Sequence, residues 1–347
     1  MSTSGSAKVT IREVAAAAGV SVGTVSRVLN NHSSVRPPMR KAVMDAVRAL
    51  GYEPNEAARQ LRATRTKALA ILIDDVNHAM NGVAVHGADD VAQGRGYSLL
   101  VAETRGDPDR ELELVQSMLG RRVEGLLCMP RQSRTAILAA ASRSRVPVVF
   151  FGQVSQLDGA VSALIDEDAA TRESVDDFLR HGHRHLAIVG DERPLSHRRI
   201  NAIRQCLADR SDKTRVSVVV EPLEQLAEAT GTLLSRAGRP SGVIVLTHRC
   251  LPPVLLGVRK AGLALPQDVS LVAFGDSEWA AAYRPAISVI SGPYREHVAA
   301  ATNLLIDLIQ GAANEDATLV HTSEYTRRES LAAAPHLPAS PRRAPRR

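Results

Sequence analysis

The sequence predicts a small α-helical helix-turn-helix domain followed by an α/β body built on two doubly wound parallel sheets. Three observations carry that expectation. Residues 9–50 hold short helical patterns punctuated by glycine and proline. Residues 68–330 alternate short apolar runs with amphipathic stretches, as βαβ units do when their sheets are covered on both faces. The apolar runs number about ten, more than one doubly wound sheet ordinarily carries.

The N-terminal elements can be justified one by one. Thr10 with Glu13 three residues on forms a capping box, so a helix starts near Ile11 with Ile11, Val14, Ala15 and Ala18 on one face. Gly19 ends it and supplies the turn. Ser21 is a fresh N-cap for a second helix from Val22 to about Leu29, and Val20, Val25 and Val28 can pack back on the first. Residues 19–23 also satisfy the G-x-S-x-G pattern of hydrolases. That elbow needs a strand before it, and Ser21 follows a capped helix, so no esterase is expected. Pro37 and Pro38 suit only a helix start. An amphipathic helix over 39–50 then buries Val43, Ala46, Val47 and Leu50, and Gly51 ends it. Asn55 can cap a helix over 56–61, too short to stand alone in water.

In the body, strands are expected at 68–74, 97–101, 125–129, 146–151, 185–189, 216–220, 242–246 and 269–274. Helices are expected between them at 82–95, 108–121, 135–144, 169–180, 196–208, 223–237 and 252–261. The Ala/Pro/Arg-rich end, residues 334–347 above all, reads as a disordered basic tail.

Charge sharpens this division. The 347 residues carry +6 overall, but +7 falls in residues 1–67, −5 in 68–335 and +4 in 336–347. A basic end on an acidic body points to a polyanion partner. No apolar stretch approaches the ~18–20 residues of a membrane span, and residues 1–8 show no signal sequence. Three scattered cysteines, Cys128, Cys206 and Cys250, exclude a disulfide scaffold and fit a reducing cytoplasm. No dinucleotide fingerprint or P-loop is found, so neither an enzyme nor a cofactor is expected. His181, His183 and His185 cluster, but no Cys or carboxylate complements them at metal spacing.

These residues carry a resemblance. Residues 9–30, the run Leu50-Gly-Tyr-Glu-Pro-Asn-Glu-Ala-Ala-Arg-Gln-Leu-Arg62 and Thr326-Arg-Arg-Glu-Ser330 resemble the LacI/GalR (lac repressor) family of bacterial transcription regulators, over nearly the whole chain. The resemblance implies a headpiece over residues 1–54, a hinge helix or linker over 55–66 and an effector-binding and dimerisation core over 67–333. The core would have the periplasmic-binding-protein architecture of two Rossmann-like subdomains. One spans about 67–165 plus 292–325 and the other about 166–291 plus 326–333, with crossings near Ile165, Ser291 and Tyr325. A small molecule would bind in the cleft between them.

It implies a repressor that binds a pseudo-palindromic operator as a homodimer. Val22 and Gly23 would choose bases. Val22 can touch a thymine methyl, Gly23 has no side chain to read with, and Arg27 matches the guanine-reading position. Thr10, Ser21, Thr24, Ser26 and Asn30 would serve phosphates or caps. Asn55, Ala58 and Leu61 would form the hinge, Ala57 and Ala58 allowing close helix approach and Leu61 wedging into the minor groove. The alternative there is a plain linker.

For the effector, Arg199 matches the family's most persistent ligand residue, and His78, Met80, Gln153, His248, Arg249 and Asp276 lie in loops at strand ends. Neighbouring Arg198 is expected to face solvent. Several family residues are missing: Gly275 stands where a ligand-binding Asp is usual, and His248-Arg249 replace Asn-Asp. Loss of Asp–diol contacts argues against an ordinary hexose. Arg199, Arg249 and His248 favour an anion such as a carboxylate or sugar phosphate. A degenerate site without a ligand stays open, as does the remoter reading of a plain solute-binding protein.

Overall fold

A computed structural model describes residues 9–29, 35–52, 65–129, 133–152, 160–208, 210, 214–314 and 317–335. The chain divides into two compact units between Thr66 and Lys67.

Among its described residues the first unit holds three helices, α1 (Ile11–Ala17), α2 (Val22–Leu29) and α3 (Pro37–Leu50). The α1 start is held as the sequence dictates. The Thr10 N–H and hydroxyl both donate to the Glu13 carboxylate, at 2.6 and 2.9 Å. Gly19 takes φ +64°, and the Val20 N–H closes back on the Ala15 carbonyl at 3.0 Å. Val14, Ala15, Val25, Val28, Val43 and Ala46 then meet in one small core. Two details differ from expectation. α3 begins at Pro37, because the first helical N–H groups need no partner there. Leu50 is 36% exposed, outside the buried stripe. Gly51 turns the chain with φ +59°, the Tyr52 N–H bonds the Val47 carbonyl, and Tyr52 packs on the core instead.

The second unit is built on two six-stranded sheets. The first orders β11 (Thr318–Thr322), β5 (Val161–Asp166), β4 (Val148–Gly152), β3 (Gly125–Cys128), β1 (Ala68–Ile73) and β2 (Ser98–Glu103), all parallel. The second orders β12 (Glu324–Thr326), β10 (Ser288–Ser291), β9 (Ser270–Phe274), β8 (Gly242–Val245), β6 (His185–Gly190) and β7 (Arg215–Val220). Only β12 runs antiparallel to its neighbour there. Alternate residues of β1 serve opposite faces: Leu69, Ile71 and Ile73 join one apolar cluster, Ala70 and Leu72 another. Both faces are therefore covered, which is why the run reads as continuously apolar. Helices α4 (Ala79–Gly94), α5 (Pro108–Gly120), α6 (Arg134–Ser144), α7 (Asp168–Arg180), α8 (Pro194–Ala208), α9 (Leu223–Leu234), α10 (Leu251–Lys260), α11 (Glu278–Ala282) and α12 (Tyr294–Ile309) connect and cover the strands. β5, β10, β11 and β12 were not among the expected apolar runs. They are three to six residues long, and β11 and β12 hold few buried side chains.

The chain passes between the sheets three times: from β5 to α7, from β10 to α12 and from β11 to β12. The three passages touch. A Cβ on Gly292 would lie 3.1 Å from the Ser323 hydroxyl and 3.2 Å from Ile165 Cγ2, so Gly292 sits against both other passages. The Ser323 N–H also donates to the Asp166 carbonyl at 2.8 Å.

Gly292→Val should cost about 1–3 kcal/mol through overpacking, since valine suits the extended backbone before Pro293. Urea unfolding of the purified chain should show a lower midpoint at an unchanged m-value.

Candidate functional site

In the first unit the candidate functional face is the outer side of α2. Val25 and Val28 point into the core, so the 3.6-residue period sends Val22, Gly23, Ser26 and Arg27 toward the other side. Val22 is 39% exposed, Gly23 and Arg27 are exposed, and Ser26 is half-buried. α2 carries no acidic residue. Ser21 Oγ accepts the Thr24 N–H at 3.2 Å and lies 3.0 Å from the Thr24 hydroxyl. These two side chains cap the helix, as the Thr10 hydroxyl serves Glu13 at the start of α1. Asn30, Asn55, Ala58 and Leu61, with the expected hinge helix, lie outside the described residues. The G-x-S-x-G serine is thus a helix cap on a helical unit.

The second unit holds a cleft of about 240 Å³ at the carboxyl ends of its strands. His78, Met80, Arg199 and His248 line it, as expected from sequence. Gln153 lies outside the described residues. Arg249 and Asp276 do not line the cleft. His248–Cys250 form a single 3₁₀ turn, whose successive side chains diverge by about a third of a circle, so His248 faces the cleft and Arg249 does not. The Arg249 Nε lies 3.8 Å from Asp191. Asp276 is gripped by both ends of the Arg328 guanidinium at 2.8 and 2.6 Å. Burial pushes its carboxyl up, but the bonds from Arg328 and the Ser277 N–H outweigh that and leave it below the usual range. Arg198, expected in solvent, is exposed yet forms part of the cleft wall.

The carboxylates in the wall are already engaged. Asp74 accepts from Asn81 Nδ2 at 2.6 Å and from Arg193 at 2.6 Å, the arginine reaching it from the other sheet's loop. Arg193 also lies 3.2 Å from Asp191. Glu167 takes a two-pronged bond from Arg199, with Nε at 2.8 Å. Arg199 also donates to the Leu246 carbonyl and lies 4.2 Å over the Phe274 ring. It is only 8% exposed. Asp74 and Met129 end the strands expected at 68–74 and 125–129, and Arg193 follows the strand expected at 185–189. The pairing of Asp74 with Arg193 across the cleft had no signal in sequence, and Tyr294 lies in a segment with no expected element.

Gly275 explains one missing family residue. Its φ is +89°, and a Cβ there would lie 2.9 Å from the His248 Cβ. An aspartate is therefore excluded by backbone and by volume, because His248 occupies the space. The His248 ring lies 6.0 Å from that of His78 and 5.7 Å from Trp279, both edge-on. Burial lowers the pKa of both histidines, so both rings are neutral at pH 7.

Beside the cleft, His297 is fully buried, accepts the Gly152 N–H on Nε2 at 3.0 Å and approaches His321 Nδ1 at 3.2 Å. It stacks on Tyr294, a cleft residue. Burial, with His321 second, pushes its pKa down to about 4. The 181–185 histidines are each held apart: His183 by Ser241 and the Ala332 carbonyl, His185 by Ser217 and the Gly238 carbonyl, His181 by the Asp177 carbonyl. Among the described residues no metal-holding group of His, Cys, Asp or Glu occurs, and no helix is long and apolar enough to cross a membrane.

A helix-turn-helix unit joined to a two-sheet core with three passages and a strand-end cleft defines the bacterial DNA-binding regulators with a solute-binding-type core. Residues 10–55 match the bacterial regulatory proteins of the lacI family, and residues 175–331 match the periplasmic binding protein-like domain. Catabolite control protein A of Priestia megaterium is 29% identical over 303 residues, covering 86% of this chain and 91% of that protein. HTH-type transcriptional regulator DegA of Bacillus subtilis is 26% identical, covering 83% and 88%. Among solved structures, the lac repressor dimer bound to operator and the anti-inducer ONPF superposes with a TM-score of 0.83 at 24% identity, covering 94% of this chain and all of that one. The transcriptional regulator CelR in complex with cellobiose gives 0.67 at 26% identity, covering 93% and 100%. The chain carries the DNA-binding domain of the lacI family of bacterial regulatory proteins ahead of a periplasmic binding protein-like domain, and is a DNA-binding transcription regulator.

The native His297 stays uncharged well below the pH at which an unfolded histidine, near 6.5, takes up its proton. The unfolded state binds more protons in that window, so this histidine's contribution to stability falls as pH drops from 6.5 toward 4. His297→Gln keeps an acceptor for Gly152. Thermal unfolding across pH 7 to 4 should show a shallower acid decline for the variant, by up to one proton.

Proposed function

We propose that this chain represses transcription in the cytoplasm by binding, as a homodimer, a pseudo-palindromic operator, and that a small molecule in the cleft modulates the binding. The carrying observation is the outer face of α2: an exposed Val22, a bare Gly23 and an exposed Arg27 on a helix without acids, in a 67-residue end of charge +7. A surface of that kind enters a major groove with its N-terminal residues at base edges. The lac repressor structure that shares this fold is a dimer on operator. Its relatives are named as regulators, and no catalysis is assigned to this chain.

The proposed parts have separate tasks. Arg27 reads guanine with its planar fork. Thr10, Ser21, Thr24, Ser26 and Asn30 line the approach to phosphates. Asn55, Ala58 and Leu61 belong to a hinge that folds on DNA, with Leu61 as the minor-groove wedge. Ligand in the cleft acts through the three passages, by preferring one angle between the sheets, and its effect equals its difference in affinity for the two angles. The acidic core, at −5, is repelled by the duplex. A second reading, a regulator whose cleft takes no ligand, is favoured by the internal pairing of Asp74 and Glu167.

Selection of genomic fragments bound by the purified chain should enrich one pseudo-palindrome, and absence of any such enrichment would overturn the reading. Arg27→Ala should weaken operator binding by about 1–3 kcal/mol and relax the preference at one symmetric position, checked by mobility shift on mutated operators. Leu61→Ala should weaken binding and reduce DNA bending while the core's unfolding midpoint stays unchanged. Affinity should fall steeply with salt for all three proteins.

A further inference from the structure

We infer, resting on the effector-cleft reading above, that the ligand is a small amphiphilic acid, a compact apolar body bearing one carboxylate, and not a polyol. Four observations converge on that class.

First, polyol recognition needs carboxylates with acceptor capacity aimed at neighbouring hydroxyls. Of the wall's two carboxylates, Asp74 is bound by Asn81 and Arg193 and Glu167 by Arg199. Re-aiming either one at a sugar diol would break its ion pair, and breaking a buried pair strands a charge at a cost of about 3–5 kcal/mol. Gly275 supplies no replacement.

Second, the wall has an apolar part, and the cavity is small. Met80, Met129, Leu195, Phe274, Ile290 and Tyr294 line it, and its volume of about 240 Å³ is at the small end for ligand pockets. Third, four guanidiniums, of Arg134, Arg193, Arg198 and Arg199, face two carboxylates in the wall. By formal count the wall is positive, which suits an anion better than a neutral polyol.

The fourth observation fixes where the carboxylate sits. Of the cleft's buried side-chain polar atoms, His78 Nε2 and His248 Nε2 alone lack a hydrogen bond among the described residues. His248 is only 8% exposed, so this is a polar atom withdrawn from water without compensation. The two rings come from the segments that follow β1 and β8, one from each sheet, and lie 6.0 Å apart. Each neutral imidazole can present an Nε2–H donor. One carboxylate, with two oxygens, satisfies both donors and ties the two halves of the core together.

Trp279 is the chain's only tryptophan and lies 5.7 Å from His248, so its emission reports on this site. The full chain would be titrated with phenylacetate and benzoate in one arm and with glucose, ribose and cellobiose in the other, following Trp279 emission and the unfolding midpoint. Phenylacetate or benzoate should saturate both signals. His78→Phe and His248→Phe keep an aromatic ring and lose the donor, and each should weaken the acid at least tenfold while the unliganded midpoint identifies any variant that is merely unfolded. Equal affinity in a folded variant of either kind overturns the histidine clamp. Saturation by a sugar with no response to either acid overturns the ligand class and leaves the cleft as an effector site. Silence in both arms overturns both and favours the ligand-free regulator.

Discussion

The core depends on the contact of three passages of chain around Gly292. Each sheet has its own apolar clusters on both faces and is complete without the other. Covalently they are joined where Ile165, Gly292 and Ser323 meet, and the missing side chain of glycine lets the segments approach there. Close-packed interiors resist deformation, so the two halves behave as solids. The passages are thin compared with the sheets they join, and the cleft lies beside them at the carboxyl ends of the strands. The same topology places Glu167 at the first passage and Tyr294 just after the second, so two cleft residues are anchored on the hinge itself.

The ion pairs of the cleft set what chemistry is left for a ligand. Arg193 reaches from the second sheet to Asp74 of the first, and Arg199 closes on Glu167 beside the passage. Both pairs are nearly buried, with charges compensated at close range. Pairs of this kind contribute little net stability against an apolar equivalent, but they are costly to break singly. They therefore act as fixed geometry. The imidazoles and the apolar wall remain available, which moves the discrimination between ligands from carboxylates to neutral donors and shape.

The headpiece was legible in the sequence because its signals are local. Thr10 with Glu13, Gly19, Ser21 and the two prolines each fix one backbone event within four residues. Leu50 was misplaced because its fate depends on how Gly51 turns the chain and on Tyr52 arriving to take its place. In the core, central strands such as β1 stood out as fully apolar runs, whereas β11 and β12 are short and half-covered, and carry too little pattern to separate from loop. At the cleft, position along the chain was enough to place Arg199 and His248. It was not enough for Arg249, whose direction is set by the phase of a single 3₁₀ turn. Nor was it enough for the Asp74–Arg193 pair, whose members are 119 residues apart in sequence.

The close approach of His248 to Gly275 constrains descent as well as binding. A lineage carrying this histidine cannot gain an acidic residue at 275 in one step, since any Cβ there would fall 2.9 Å from the histidine's own. Every residue but glycine carries that Cβ, so shrinking the side chain at 248 makes no room. The two loops must move apart, and the φ of +89° must relax, before an acid at 275 is tolerated. The barrier to a diol-gripping cleft therefore lies in the backbone of two loops and not in the identity of one side chain.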